Sequence, residues 1–233
     1  MVKLNKIIEC LKKPKFYKYY FNGVAPLFEL TPLIKELKDI NTLIDVGSNK
    51  GQFSAILRNF YPQVSIHSFE PQIDELNIQK KLLGSSNINY YAFALGDENK
   101  NMLFNITKRK DSSSLLDPLL KNNKIYSENK KINVSVKKLD TVLNINKLTK
   151  PILLKLDVQG FELKALIGAQ SVLDNVDYII SEISFLDVYK NQVNADDLIK
   201  YLKSKNFDIH KRTNLTKLNG NNFQEDVLFV KKK

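Results

Sequence analysis

Carboxylates stand at or near the ends of short apolar runs in this chain: Asp45 after Thr42 to Ile44, Glu70 after Val64 to Phe69, Asp157 after Ile152 to Leu156, and Glu182 after Tyr178 to Ser181. A carboxylate so placed can accept hydrogen bonds from hydroxyls, attract a cation or take a proton. Asp45 is followed at once by a glycine turn, Gly47-Ser-Asn-Lys-Gly51, and then by a helical pattern. The glycines predict close approach of a ligand. The N–H groups at the helix start suit an anion and Asp45 suits a cation or a hydroxyl donor, so a zwitterion would use both. The turn lacks the glycine spacing of a dinucleotide site. Glu70 ends the second apolar run, where an acidic residue accepts bonds from ribose hydroxyls or, in the plainer reading, complements a helix dipole. Turn and Glu70 together predict a nucleoside ligand with a cationic end.

Lys155, Asp157 and Glu182 are the candidate catalytic residues. Lys155 and Asp157 alternate along one strand and so share a face, where the ammonium favours the ionised carboxylate. The pair is either a structural ion pair or sits beside the reacting group. Glu182 is open to the same two readings. Asp157, Glu162 and Glu182 could gather a divalent cation, but no histidine or aspartate pairing has metal-ligand spacing, so no metal is expected. His67 and His210, the two histidines, read as packed or rim residues, and Phe53 as either core or ligand wall.

These residues need a scaffold of alternating strands and helices. The pattern predicts a strand before Gly47, a helix over Gln52 to Tyr61, a strand over Val64 to Phe69, a helix ending at Leu83 with Gly84 as its cap, and a strand over Ile88 to Leu95. Parallel strands with right-handed crossovers follow from that order. Met102 to Thr107 and Ile132 to Leu139 predict an inserted strand pair, with the serine-rich stretch Ser112 to Leu116 in a mobile loop between them. The α/β rhythm resumes with a strand at Ile152 to Val158, a helix at Glu162 to Leu173, a strand at Tyr178 to Ile183 and a helix at Asp196 to Lys205. Phe207 to Lys211 and Asp226 to Val230 close the sheet as an antiparallel pair. Residues 1–40 predict an N-terminal helical extension divided by Pro14, Pro26 and Pro32. Residues 41–233 predict one main domain, with the insertion at about 101–139.

The 233 residues suffice for a substantial core, and 43% hydrophobic with 26% charged residues argues for a globular chain over a disordered one. No apolar run reaches the length of a spanning helix and no secretory signal is expected, so the cytoplasm is the default compartment. Cys10 is the single cysteine, which excludes an internal disulfide. The net charge of +11 attracts polyanions, but lysine is spread along the whole chain. Nucleic acid is therefore not the expected partner. The basic, aromatic N-terminal helices suggest packing on the main domain first and a peripheral membrane contact or lid second.

Ile44 to Phe53, Ser68-Phe-Glu-Pro71, Ala94-Leu-Gly96, Ser113-Ser-Leu115, Leu153 to Glu162 and Asp226-Val-Leu-Phe229 occur in an order that resembles the FkbM family of S-adenosylmethionine-dependent methyltransferases. The resemblance implies a class I methyltransferase (Rossmann-like) fold: a mostly parallel seven-stranded sheet, helices on both faces, and the last strand antiparallel. It implies O-methylation of a hydroxyl, often of a sugar in a glycan or natural product. S-adenosyl-L-methionine is the implied cofactor, its methionine part on Asp45, Gly47, Asn49 and Gly51, its ribose on Glu70 and its adenine at Leu95 and Gly96. Phe53 and Asp157 complete the expected cofactor contacts, and Asp157, before Glu182, is the expected base. Ser48 departs from the alanine common in the family. The rival expectations are an RNA-binding or RNA-methylating protein and a nicotinamide-dependent oxidoreductase.

Overall fold

The computed structural model describes residues 13–119 and 127–232. Its strands, in chain order, are β1 Thr42–Val46, β2 Ser65–Phe69, β3 Ile88–Tyr91, β4 Ala94–Leu95, β5 Lys100–Thr107, β6 Glu128–Lys137, β7 Ile152–Leu156, β8 Tyr178–Ser184, β9 Phe207–Thr213, β10 Lys217–Leu218, β11 Asn221–Asn222 and β12 Gln224–Lys231. Seven of them form one sheet in the order β3-β2-β1-β7-β8-β12-β9. From β3 to β8 all neighbours are parallel, and β12 runs antiparallel to both β8 and β9. Helices Gln52–Phe60 and Ile73–Leu83 carry the chain outward from β1 to β3, while β7 and β8 build the other half. The direction of winding changes between β1 and β7, which is where such sheets bind ligands.

Alternation along the strands divides the core. Ile44, Val46, Leu154, Leu156, Val227 and Phe229 pack on one face with Leu166, Leu173, Leu198 and Leu202. Leu43, Leu153, Ile180 and Leu228 pack on the other with Phe53, Ile56 and Leu57 of helix Gln52–Phe60. Every one of these residues is buried, and each large side chain so removed from water contributes about 1.5–3 kcal/mol. Phe16, Tyr19, Leu30, Leu33, Ile34 and Leu37 join the second face, so the described part of the N-terminal segment is a layer of the core. It consists of short helical turns, Pro14–Phe16, Tyr17–Phe21, Phe28–Leu30 and Thr31–Ile34, with Pro14 and Pro32 at helix starts and Pro26 and the left-handed Gly23 parting the first two turns from the last two. The first 12 residues lie outside the description.

Three expectations need correction. The apolar run Ile88 to Leu95 is two strands, since the chain leaves the main sheet after Tyr91 and β4 pairs in parallel with β6, beside β5. The Phe93 ring packs on Phe69 and Tyr91 at 5.8 and 5.7 Å across the break. The predicted helix Glu162 to Leu173 is also two, Glu162–Ile167 and Gln170–Leu173, parted at Gly168. A Cβ on Gly168 would lie 1.9 Å from the Gly96 carbonyl oxygen, so the helix breaks where two backbones touch. Finally, the serine stretch is not loose: Ser112, Ser113, Ser114 and Leu115 are buried, and Ser114 exchanges both backbone hydrogen bonds with Asn105 of β5. Residues 120–126 of the predicted loop lie outside the description.

Candidate active site

The turn after β1 is tight for internal reasons. Gly47 has φ +74, and a Cβ there would meet the Asp157 carbonyl oxygen at 1.9 Å; Gly51 has φ +77 and would meet the Gln79 side chain at 2.6 Å. Both glycines answer close approach of the protein itself, where the sequence suggested a ligand. The backbone N–H groups are engaged as well. Gly47 and Ser48 donate to the Phe69 carbonyl, both at 3.0 Å, and Gly51 to that of Ser48. Asn49, at φ +47, donates to Glu70 Oε2 at 2.9 Å, and Lys50 donates to Asn49 Oδ1. An anion finds no free donor among these five. Below the turn, Ser68 Oγ lies 2.7 Å from Ser48 Oγ and 2.9 Å from Gln79 Oε1 in a buried network, which is what the hydroxyl at position 48 serves.

Glu70 is 3% exposed and also accepts from Gln72 N–H at 2.8 Å. Burial outweighs these bonds and pushes its carboxyl up to about 7. Asp45 is fully buried, and Ser54 Oγ donates to its Oδ2 at 2.6 Å. Its Oδ1 has no partner, although Asp45 lines the cleft. Burial raises this carboxyl too, against the opposing pull of Lys155 and Ser54.

Strand register sets the acids in a row. Asp45 lies opposite Lys155 across β1 and β7, and Glu182 opposite Asp226 across β8 and β12. Asp157 follows β7 directly, its N–H bonded to the Val46 carbonyl. Lys155 Nζ donates to Asp157 Oδ2 at 2.8 Å, and Gln159 Nε2 donates to Oδ1 at 2.9 Å. Burial works to raise the Asp157 carboxyl, but the ammonium and these two bonds hold it below its ordinary value. Burial likewise opposes the Lys155 charge, and Asp157 with Asp45 overcomes it, keeping the amine above its usual value. Glu182 behaves in the opposite way. Burial, then Asp157 and Asp226, push it well above the carboxylate range, and Asp226 itself rises to about 6, chiefly by burial. The same surroundings thus hold Asp157 towards its ionised form and drive its neighbour Glu182 towards the protonated one.

Gln159 ties this row to the insertion. At φ +54 it bends the chain after β7, and its Nε2 also reaches Glu182 Oε1 at 3.4 Å. Tyr189 Oη lies 3.1 Å from Gln159 Oε1 and 2.6 Å from the Ser112 carbonyl oxygen, while Ser114 Oγ donates to the Gln159 carbonyl at 2.8 Å. Glu162 clamps the same turn by accepting from the N–H groups of Val158 and Gly160. Its carboxylate serves the backbone, and among the described residues no acidic, histidine or cysteine group has metal-holding geometry.

A cleft of about 1320 Å³ opens over these residues. Asp45, Gly47, Asn49, Phe53, Glu70, Leu95, Lys155, Asp157 and Glu182 line it. Gly51 and Gly96 do not. Gly51 starts the helix, and Gly96 gives its N–H to the Lys137 carbonyl and its own carbonyl face to Gly168. His67 and His210 lie elsewhere, His67 beside Tyr91 and His210 beside Glu36. Asp226, Gln159 and Tyr189 were not singled out from sequence as site residues. A carboxylate opening an apolar strand signals Asp226, but nothing local marks Gln159 or Tyr189, which act through partners distant in the chain.

Residues 45–209 match the Methyltransferase FkbM domain family. "Methyltransferase 1" of Beauveria bassiana (strain ARSEF 2860) is 27% identical over 158 residues, 59% of this chain and 64% of that protein. The chain thus matches less than two thirds of that relative's length. Among solved structures, TehB from Haemophilus influenzae has a TM-score of 0.51 at 11% identity, over 94% of this chain and 66% of that one. TrmK of M. capricolum, in complex with S-adenosyl-homocysteine, has 0.50 at 12%, over 88% and 69%. The folds agree: a seven-stranded, mostly parallel sheet with one antiparallel strand, as in class I methyltransferases. With 165 of its 233 residues inside the family match, the chain belongs to the FkbM methyltransferase domain family.

Proposed function

We propose that this protein transfers a methyl group from S-adenosylmethionine to a hydroxyl oxygen, that of a sugar in a glycan or natural product. The observation that carries the reading is the row of acids at the strand ends in the cleft of a chain of this family, with Asp157 held towards its ionised form by the Lys155 ammonium at 2.8 Å and Glu182 pushed up by burial. The cofactor fits the residues present. Asp45 offers a buried carboxylate oxygen without a partner, suited to an ammonium or hydroxyl donor, and Glu70 offers a buried carboxylate one strand away for ribose hydroxyls. Leu95 and Phe53 supply apolar wall. When bound, S-adenosylmethionine supplies an electrophilic methyl on a sulfonium.

The remaining work falls to the chain. Holding an acceptor oxygen in line is worth up to about 7–11 kcal/mol in favourable systems. Asp157 takes the hydroxyl proton, its charge and orientation fixed by Lys155 and Gln159, which are positioning residues. Glu182, driven by burial towards its protonated form, is placed to donate a hydrogen bond to a second oxygen of the acceptor. Calorimetry with S-adenosylhomocysteine and with NAD tests the cofactor: the first binds and the second does not. A folded protein that binds neither refutes the reading. Asp157→Asn should keep S-adenosylhomocysteine affinity and lose methyl transfer to a panel of sugar acceptors.

A further inference from the structure

The short helix Tyr17–Phe21 presents two unlike sides. Phe16 and Tyr19 are buried, with Phe16 edge-on to Phe28 at 5.1 Å. That anchors the segment. Tyr17, Tyr20 and Phe21 point outward at 39, 38 and 78% exposure, and Phe21 is the most exposed large apolar side chain among the described residues. Two buried anchors leave the helix no rotation that would hide Phe21. Lys13, Lys15 and Lys18 lie along the same stretch, and residues 13–28 contain no acid. Lys15 and Lys18 stack their ammonium groups on the rings of Phe16 and Tyr19 at 5.8 and 5.2 Å. Lys81 extends the basic rim by donating to Asn22 Oδ1 at 3.1 Å. Aromatic rings flanked by lysines suit the boundary between lipid headgroups and acyl chains, where the rings enter and the ammonium groups meet anionic headgroups.

Position adds to composition. Gly23, Ala25 and Leu27, immediately after this helix, line the cleft, and Leu27 N–H reaches back to the Gln52 carbonyl at the helix start. The aromatic and basic surface is therefore at the cleft's rim.

We propose that this face docks the protein on the anionic surface of a lipid bilayer, so that an acceptor held at that surface enters the cleft past Gly23 and Ala25. Charge complementarity selects the bilayer as occupant, since a second copy would set lysine against lysine. Docking can be read without any methyl transfer. The chain has no tryptophan, so Phe21→Trp places a single reporter at the contact. Its emission should shift to the blue with vesicles of phosphatidylcholine containing about one third phosphatidylglycerol, and stay unshifted with phosphatidylcholine alone. In co-sedimentation of the full chain, Lys15→Ala with Lys18→Ala should weaken binding about 25-fold, from about fivefold per lysine near an anionic surface. Phe21→Ser should weaken it at least about tenfold. All three positions are exposed, and unchanged melting temperatures would show intact folding. The proposal is overturned by an unshifted reporter with anionic vesicles, by equal binding to neutral ones, or by indifference of co-sedimentation to these substitutions. A reporter already blue-shifted in a dimer without lipid also overturns it, with a second copy as the occupant.

Discussion

Replacing Lys155 by methionine isolates the charge on which the acid row depends. The ammonium sits 2.8 Å from Asp157 Oδ2, with its side chain 5% exposed and that of Asp157 33% exposed. Removing one member of a buried pair costs about 3–5 kcal/mol, because the other is left charged and uncompensated. Water reaches a third of Asp157 and screens part of that, so Lys155→Met should cost about 2–3 kcal/mol at pH 8. The pH dependence separates this cause from lost packing. In the wild type the depressed Asp157 contributes stability above its unfolded value near 3.9, which is lost as pH falls through its lower folded value. In the variant, burial is opposed only by the Gln159 bond and the charge of Arg109, so Asp157 rises from its depressed value and gives up its charge at a higher pH than in the wild type. The deficit against wild type should therefore shrink between pH 8 and pH 5. Urea unfolding followed by circular dichroism at both values measures it, and adding Asp157→Asn should recover part of the loss at pH 8. A deficit below about 1 kcal/mol, or one equal at the two pH values, would refute the electrostatic account. In turnover, the acid limb of the pH–rate profile should move upward in Lys155→Met if Asp157 is the base.

Other consequences follow from the buried acids and the turns. Glu70 and Glu162, both pushed to about 7, and Asp226, pushed to about 6, hold protons in the folded state that the unfolded chain releases near pH 4–4.5. Their contribution to stability is full below that range and falls as pH rises towards 7, so melting without ligand should be higher at pH 5.5 than at pH 8; the reverse order would place the buried charge elsewhere. If ribose hydroxyls bind ionised Glu70, S-adenosylhomocysteine binding at pH 6 should release a proton, visible as a calorimetric enthalpy that varies with buffer ionisation heat. Glu70→Gln should abolish that variation. Gly47→Ala sets a methyl 1.9 Å from the Asp157 carbonyl at φ +74, and should cost about 3 kcal/mol or more in urea unfolding. Tyr189→Phe removes the hydroxyl shared by Ser112 and Gln159; a loss of about 1–2 kcal/mol with faster amide exchange over residues 108–115 is expected, and unchanged exchange would dismiss the brace.

The linear order of the chain determined a good deal. Apolar runs ended by Asp45, Glu70, Asp157 and Glu182 gave the strands and their acidic ends, because strand burial and the geometry of a crossover are local requirements. The same pattern placed the glycine turn and the cap at Gly84. Tertiary structure decided what those residues meet. Gly47 and Gly168 are glycines because Asp157 and Gly96, remote in sequence, bring a carbonyl to 1.9 Å from where a Cβ would stand. Asp226 enters the acid row only because β12 inserts antiparallel between β8 and β9, and Gln159 becomes its hub only because Tyr189 and the serine segment fold back onto it. Protonation follows the same division: a carboxylate's type is written in the chain, but whether it is charged depends on which acids and ammonium the folded sheet sets beside it.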